Sequence, residues 1–263
     1  VKGFRQRKRA SKRAGKLRGL GLACYVETTA AMTTEQGAIR FNADGTVTII
    51  TGTLDYGQGH ASTFAQVLTE KLGVPFDRIR LVQGDSDLLV TGGGTGGSRS
   101  VMLSGTAIAQ ASEKVIANGK QIAAQVLEAS AGDIEFSGGR FTVAGTDHAI
   151  DIMTLAERLR GGLTLPEGVP TTLDVTHVTE QIAGTYPNGV HVAEVEIDPD
   201  TGLTRTVKYT AINDSGTVVN PMLVEGQIQG GVVQGLGQVL LEGAVYDADG
   251  QLVTGSFMDY AMP

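Results

Sequence analysis

Ala38-Ile-Arg-Phe-Asn-Ala-Asp-Gly-Thr-Val-Thr-Ile-Ile-Thr51 and, shortly after it, Tyr56-Gly-Gln-Gly-His60 are the two segments that decide how this chain folds. Ala38–Phe41 and Thr46–Thr51 are strand-forming runs on either side of Asn42-Ala-Asp-Gly45, a turn cluster whose glycine accepts positive φ, so they read as a hairpin. The second strand delivers the chain to Gly57-Gln-Gly59. From Ala61 the apolar period becomes helical, with Phe64, Val67, Leu68 and Leu72 on one face, and Gly73 followed by Pro75 stops the helix.

Downstream, Arg78–Val82 reads as a short strand and Thr91–Gly97 as a glycine-rich loop. A helix is expected to begin near Ser98–Ser104, carrying Ile108, Ala111 and Val115 on one face, and a further helical stretch, interrupted at Gly119, runs to about Ser130. Residues 131–184, punctuated by Gly138-Gly139, Gly161-Gly162, Pro166 and Pro170, read as a wrapping connector. From Val190 the chain alternates through Ala193, Val195 and Ile197, turns at Asp198-Pro-Asp-Thr-Gly202 and returns over Leu203–Tyr209 as a second hairpin. Asn220-Pro221 supplies an N-cap with proline at the first helical position, so a helix should run towards Glu242, and a last hairpin surrounds Asp247-Ala-Asp-Gly250. The order of hairpin and then glycine-bearing helix occurs twice. The expected class is α+β, as two two-layer α/β subdomains with mixed sheets. Their expected limits are a basic lead over 1–18, a first subdomain over 19–130, the connector over 131–184, and a second subdomain over 185–263 that is cut short at its end.

Composition narrows the function classes. A hydrophobic content of 41% with 19% charged residues over 263 residues suits a globular chain with a sizeable core. Leu223–Leu241 is apolar but carries Glu225, Gln227, Gln229, Gln234 and Gln238, which lipid would leave unpaired, so no membrane span is expected. A single cysteine, Cys24, excludes a disulfide framework and any four-cysteine metal site; it fits a reducing, cytoplasmic setting and reads as a buried hydrophobe on a strand. Nine of the 21 basic residues precede position 19, leaving 12 against 28 acidic residues over the remainder, a net charge there of −16. The basic run lacks interleaved aromatics and the acidic remainder repels phosphates, so it reads as a solvated helix or linker rather than a nucleic-acid site. Val1 opens in the middle of a basic helical pattern and Pro263 closes without a terminal helix, as expected of an internal segment of a longer polypeptide.

Three glycine-rich places could carry chemistry. Gly57-Gln-Gly59 lies at a strand-to-helix junction, where backbone can approach a ligand, helix N–H groups face an anion, and Gln58 offers both a donor and an acceptor; a tight structural turn is the plain alternative. Gly92-Gly-Gly-Thr-Gly-Gly97 leads into Ser98-Arg-Ser100, placing two hydroxyls and a cation at a helix start; it also matches a loose dinucleotide pattern and could be a flexible loop. Glu225–Gly237 puts five glycines into a helix, at a cost of about 0.5 to 1 kcal/mol each, which implies close approach of another helix or of a ligand contacted by Gln227. The four histidines have no metal-ligand spacing, and none is assigned as a ligand.

In order and spacing, Tyr56-Gly-Gln-Gly-His60 with Gln66, Gly96-Gly-Ser-Arg-Ser100, Asp214-Ser-Gly216, Asn220-Pro221 with Glu225-Gly-Gln227, and Gly255-Ser-Phe-Met-Asp-Tyr260 resemble the molybdopterin-binding part of xanthine dehydrogenase, aldehyde oxidase and carbon monoxide dehydrogenase large subunits. The resemblance runs from about Gly19 to Pro263. It implies a molybdenum-molybdopterin cofactor, in bacteria usually the cytosine dinucleotide form, whose own sulfurs hold the metal. By position it implies cofactor contacts from Gly57, Gln58, Gly59 and His60, from Gly97, Ser98, Arg99 and Ser100, from Gln227 and from Asp214. It further implies an oxidoreductase acting on aldehydes, N-heterocycles or carbon monoxide with water as the oxygen source, and a dimer of heterotrimers with a 2Fe-2S small subunit and an FAD medium subunit. The family's catalytic glutamate belongs to a Gly-x-Gly-Glu element expected beyond Pro263, so no catalytic residue is assigned here and this segment alone is expected to be inactive. The alternative is a non-catalytic cofactor-binding or assembly module. Ser215 and Gln229 depart from the cysteine and histidine common at those places.

Overall fold

A computed structural model describes residues 2–30 and 33–263. The chain divides into two units, Val1–Glu27 with Tyr186–Pro263, and Thr28–Thr185. It opens with α1 (Phe4–Arg13) and β1 (Leu17–Val26) of the first unit. The second unit follows as one continuous insertion.

In the inserted unit, β2 (Gln36–Phe41) and β3 (Val47–Thr51) form the expected antiparallel hairpin. Helix α2 (His60–Leu72) follows and ends at Gly73, whose φ of 66° gives the left-handed stop read from sequence. The chain returns through β4 (Ile79–Val82), parallel to β3. After the glycine-rich loop, one π-helical turn, Val101–Gly105, opens into α3 (Thr106–Val126). Ile39, Phe41, Val47 and Ile49 alternate towards the helices, where Phe64, Leu68, Leu72, Ile108, Ala111, Val115 and Ile122 meet them in one core. Period 2 on the sheet and period 3.6 on the helices fit one apolar layer.

Two expectations fail in this unit. Helix α3 is not interrupted at Gly119, because a Cβ there would lie 2.2 Å from Cζ of Phe141; the bare backbone seats a ring, and the surrounding packing carries the helix through. Residues 131–184 are also more than a connector. They form the antiparallel sheet β5 (Ile134–Ser137), β6 (Arg140–Val143) and β7 (Ala149–Asp151), then α4 (Ile152–Arg160), capped by Asp151. Strand β8 (Val175–Val178) then joins the first sheet beside β2, completing the order β4-β3-β2-β8. Strands of three or four residues are too short to show a period in sequence.

The other unit completes a sheet of order β1-β9-β10 from β9 (Asn188–Ile197) and β10 (Thr204–Asp214), the second expected hairpin. Helix α5 (Pro221–Leu240) begins as read, with the Asn220 side chain accepting from Leu223 N. Around Asp247–Gly250 only a single bridge, Tyr246 to Leu252, forms. Cys24 lies exposed on β1, against expectation, since this strand is largely open along its length. The α+β class with mixed and antiparallel sheets stands. Among the described residues no helix is long and apolar enough to cross a membrane.

The basic lead is a helix, as read, but it is bound rather than merely solvated. Arg7 makes two hydrogen bonds to the Glu194 carboxylate, at 2.8 and 2.6 Å, and Arg18 bridges Glu194 and Glu196 at 2.6 and 3.0 Å. Ser11 donates to Glu196 at 2.7 Å, and Lys16 pairs with Asp198 at 2.9 Å. Glu194 is 3% exposed. Its hydrogen bonds from Arg7, assisted by Arg18 and opposed by burial, hold its carboxyl down at about 2. A carboxylate depressed in the folded state adds stability above its ordinary value, here 4.5, and loses that contribution as pH falls towards 2. The urea midpoint of the chain should therefore drop over this window, and Glu194→Gln should flatten part of the drop. Equal slopes for the two proteins would refute the role given to Glu194.

Candidate functional site

Two of the sequence-predicted places meet at the end of β3. The strand runs on through Gly52 and Thr53 to Leu54, and Thr95 of the glycine-rich loop clasps Leu54 on both sides. Its Oγ1 accepts from Leu54 N at 3.0 Å and donates to Leu54 O at 2.6 Å. Gly94 N donates to Gly52 O at 3.0 Å. Thr95 and Ser100 hydroxyls lie 3.0 Å apart. The turn before α2 and the loop before α3 are therefore one local structure.

The turn is organised by a residue that the sequence did not single out. Asp55 Oδ1 accepts from Gly57, Gln58 and Gly59 N–H at 2.9, 2.8 and 3.3 Å, and Oδ2 accepts from His60 N–H at 2.9 Å. Burial opposes the charge, but these four donors outweigh it and hold the Asp55 carboxyl below its usual range. The chain's own carboxylate thus occupies the turn ahead of α2 and the first N–H of the helix, that of His60. Gln58 is half-buried, and its Oε1 accepts from Tyr56 N–H. The signal available was an aspartate two to five residues ahead of the amides it accepts, the local pattern by which such side chains organise turns.

His60, 3% exposed, turns inward. Its ring stacks on Phe64 at 5.0 Å, and Nδ1 lies 3.3 Å from the Gln83 amide nitrogen, which also reaches Thr51 and Thr53 at 2.9 and 3.0 Å. Desolvation lowers its pKa, which keeps the ring neutral beneath the turn. Thr53 in turn meets Ser104 of the π-helical turn at 2.9 Å. His60 supports the turn with its ring.

In the glycine-rich loop, Arg99 is spent on backbone: it donates to Gly94 O at 3.3 and 3.2 Å and also to Gly93 O. Gly97 O accepts from Ala30 N at 2.8 Å, and Ser98, with φ of 57°, is exposed. Behind the loop lies Glu35, 1% exposed, whose Oε1 accepts from Gln36 and Gly52 N–H, both at 2.8 Å. Burial pushes its carboxyl up, against those donors and the charge of Arg99. The adjacent Gln36 amide holds Leu88 O and Val90 N at 3.0 and 2.9 Å, so one dipeptide anchors the run into the loop. No local pattern marks Glu35, because its partners lie far along the chain.

The remaining predicted residues lie in the other unit. Asp214, exposed at the end of β10, accepts from Gly216 N at 3.0 Å. Gln227 is exposed on α5. A Cβ at Gly226, Gly230, Gly231 or Gly235 would meet nothing within 4 Å, and only Gly237 has a close neighbour, Pro263 at 3.0 Å. Among the described residues the close approach expected along this helix is therefore made only at Gly237.

Among the described residues no cluster of three or more His, Cys, Asp or Glu could hold an ion. The turn and loop instead offer an amide, exposed hydroxyl and bare glycine backbone, a set suited to hydrogen-bonding a heterocycle and its phosphate. This donor set fits a pterin-type group. A cleft of about 600 Å³ lined by Gln110, Lys114, His177 and Thr179 contains none of these residues.

Residues 1–263 match a family model described as a molybdopterin cofactor-binding domain. The chain is 34% identical over 249 residues, 95% of its length and 31% of the relative's, to the gamma subunit of the 6-hydroxypseudooxynicotine dehydrogenase complex of Paenarthrobacter nicotinovorans. It is 33% identical over 268 residues, 97% of its length and 33% of the relative's, to the carbon monoxide dehydrogenase large chain of Hydrogenophaga pseudoflava. The crystal structure of quinoline 2-oxidoreductase from Pseudomonas putida 86 superposes with a TM-score of 0.89 at 35% identity, covering 99% of this chain and 35% of that one. The chain spans about a third of the length of the curated relatives it matches.

Proposed function

The chain belongs to the molybdopterin cofactor-binding domain family of molybdenum hydroxylase large subunits, and from that premise we propose that it is the cofactor-gripping part of a water-using oxidoreductase. The supporting observation is the clasp at the end of β3, which joins the Gly57-Gln-Gly59 turn to the Gly97–Ser100 loop through Thr95 and Leu54.

In this proposal Gln58 hydrogen-bonds the cofactor, and Gly57 and Gly59 let backbone close in. His60 supports them from below. Gly97, Ser98 and Ser100 line the pterin and phosphate side, with Arg99 holding the loop's carbonyls and lending positive charge. Gln227 and Asp214 are taken as cofactor contacts on the sequence resemblance alone, Asp214 at the nucleotide end. When bound, the molybdenum cofactor would supply the redox centre that takes up the substrate's electrons and passes on an oxygen derived from water. This chain's residues bind and orient that centre.

The relatives named for a nicotine derivative, quinoline and carbon monoxide favour an N-heterocycle or carbon monoxide as substrate, and an aldehyde completes the range that the sequence resemblance implies. The cytosine dinucleotide form, a 2Fe-2S small subunit and an FAD medium subunit, a dimer of heterotrimers and a cytoplasmic setting complete the proposal. Domain limits of 19–130 and 185–263 would mark the two cofactor-gripping stretches, within units whose strands are shared across the chain.

In the complete subunit, Gln58→Ala and Gln227→Ala should each lower molybdenum content or turnover by about tenfold, as losses of supporting contacts around metal sites commonly do. Metal analysis of the purified protein and steady-state rates read the outcome. Full occupancy and full activity in both variants would overturn the proposal.

A further inference from the structure

Asp55 takes four successive backbone N–H groups, those of Gly57, Gln58 and Gly59 in the turn and that of His60 at the first position of α2. With those donors consumed, the Gly57–Gly59 turn has no backbone N–H left for a ligand. What it presents is the Gln58 side chain. Gln58 Oε1 accepts the Tyr56 N–H, so the acceptor end of the amide is folded back into the turn and the Nε2 end is left for a partner. Tyr56 and Gln58 both belong to the segment that Asp55 ties down, and the group that holds the turn therefore also fixes which end of the amide faces outward.

We propose that Asp55 is a positioning residue whose carboxylate locks the Tyr56–Gly59 turn, so that Gln58 meets the cofactor as an N–H donor and not as an acceptor. This rests on the assignment of Gln58 to the cofactor made above. The ligand atom facing Gln58 is then an oxygen or another acceptor. His60 acts in the same lock, since its N–H reaches Oδ2 while its neutral ring is pinned by Phe64 and Gln83.

The test is a double-mutant cycle in the complete subunit, with Asp55→Ala, Gln58→Ala and the pair, read as molybdenum content per purified chain and as the electron paramagnetic resonance signal of the bound metal. Asp55→Ala and Gln58→Ala should each lower occupancy by about tenfold, the range typical of lost supporting contacts, and should shift the signal alike. The pair should be no worse than either alone, because one residue acts through the other. Asp55→Asn, which keeps an acceptor for three of the four N–H groups, should recover part of the occupancy, and it decides the matter if the alanine variant does not fold. Losses that multiply in the pair, or wild-type occupancy in Asp55→Ala, would overturn the positioning role while leaving Gln58 in place. Wild-type occupancy in Gln58→Ala would remove the assignment of Gln58 itself, and the proposal with it.

Discussion

Gly52→Ala should destabilise the chain by about 3 kcal/mol, at the upper end of what overpacking a well-filled interior costs. A Cβ at residue 52 would stand 2.3 Å from Gly92 Cα, 2.7 Å from Glu35 Oε1 and 2.9 Å from Thr91 O. Two of these neighbours are backbone, and the third is a buried carboxylate already engaged by two N–H groups. None can rotate away, so the loop from Thr91 to Gly94 must move, taking the Thr95 clasp with it. Urea unfolding measures the first effect, and molybdenum content of the complete subunit measures the second. A variant with wild-type stability and wild-type content would show that the two backbones are not in forced contact.

Phe141→Ala should cost about 4 kcal/mol, in the range for removing a fully buried aromatic side chain. The ring is 0% exposed, sits on the bare backbone of α3 at Gly119 and touches Phe136 with ring centres 4.7 Å apart. Because the seat is backbone on one side, the helix cannot sag into the void, and the cavity term is retained. Phe141→Leu should recover about half of the loss, since it restores much of the volume. Urea unfolding of both variants checks this, and a loss below about 1 kcal/mol in the alanine variant, the level of an unremarkable substitution, would contradict the packing described.

These two sites mark where sequence signals stop. The hairpins and α2 were legible because turn residues, alternation and a glycine stop all act within a few neighbours. Helix α5 was equally plain from Asn220-Pro221. Gly119 misled for the same local reason: a glycine weakens a helix, and only the distant Phe141 explains why it is there. The pairing of β1 with β9 joins residues such as Leu17 and Ile197, and no pattern near either end announces the other. Of the site, the glycines, Gln58 and the Ser98–Ser100 stretch were visible as composition. Glu35, Gln83 and Thr95 were not, since each works by reaching backbone or side chains that folding brings to it, and Asp55, whose partners lie two to five residues on, showed only as one more polar residue of a turn. In the turn before α2 a carboxylate of the chain itself, Asp55, takes the Gly57–His60 N–H groups.

The pairing of β1 with β9 also sets an order of events during synthesis. The ribosome releases α1 and β1 before the strand that completes them, which follows only after residues 28–185, an uninterrupted unit with its own core. That unit can close while β1 waits, and β1 waits as an open edge, the kind of surface that recruits foreign strands. During the interval the cationic α1 rides directly beside it. Arg5, Lys8, Arg9, Lys12 and Arg13 give this stretch of the nascent chain a dense like charge that opposes the meeting of two unfinished copies, and Arg7, Lys16 and Arg18 stay unpaired with Glu194, Glu196 and Asp198 until those emerge to fasten the waiting strand.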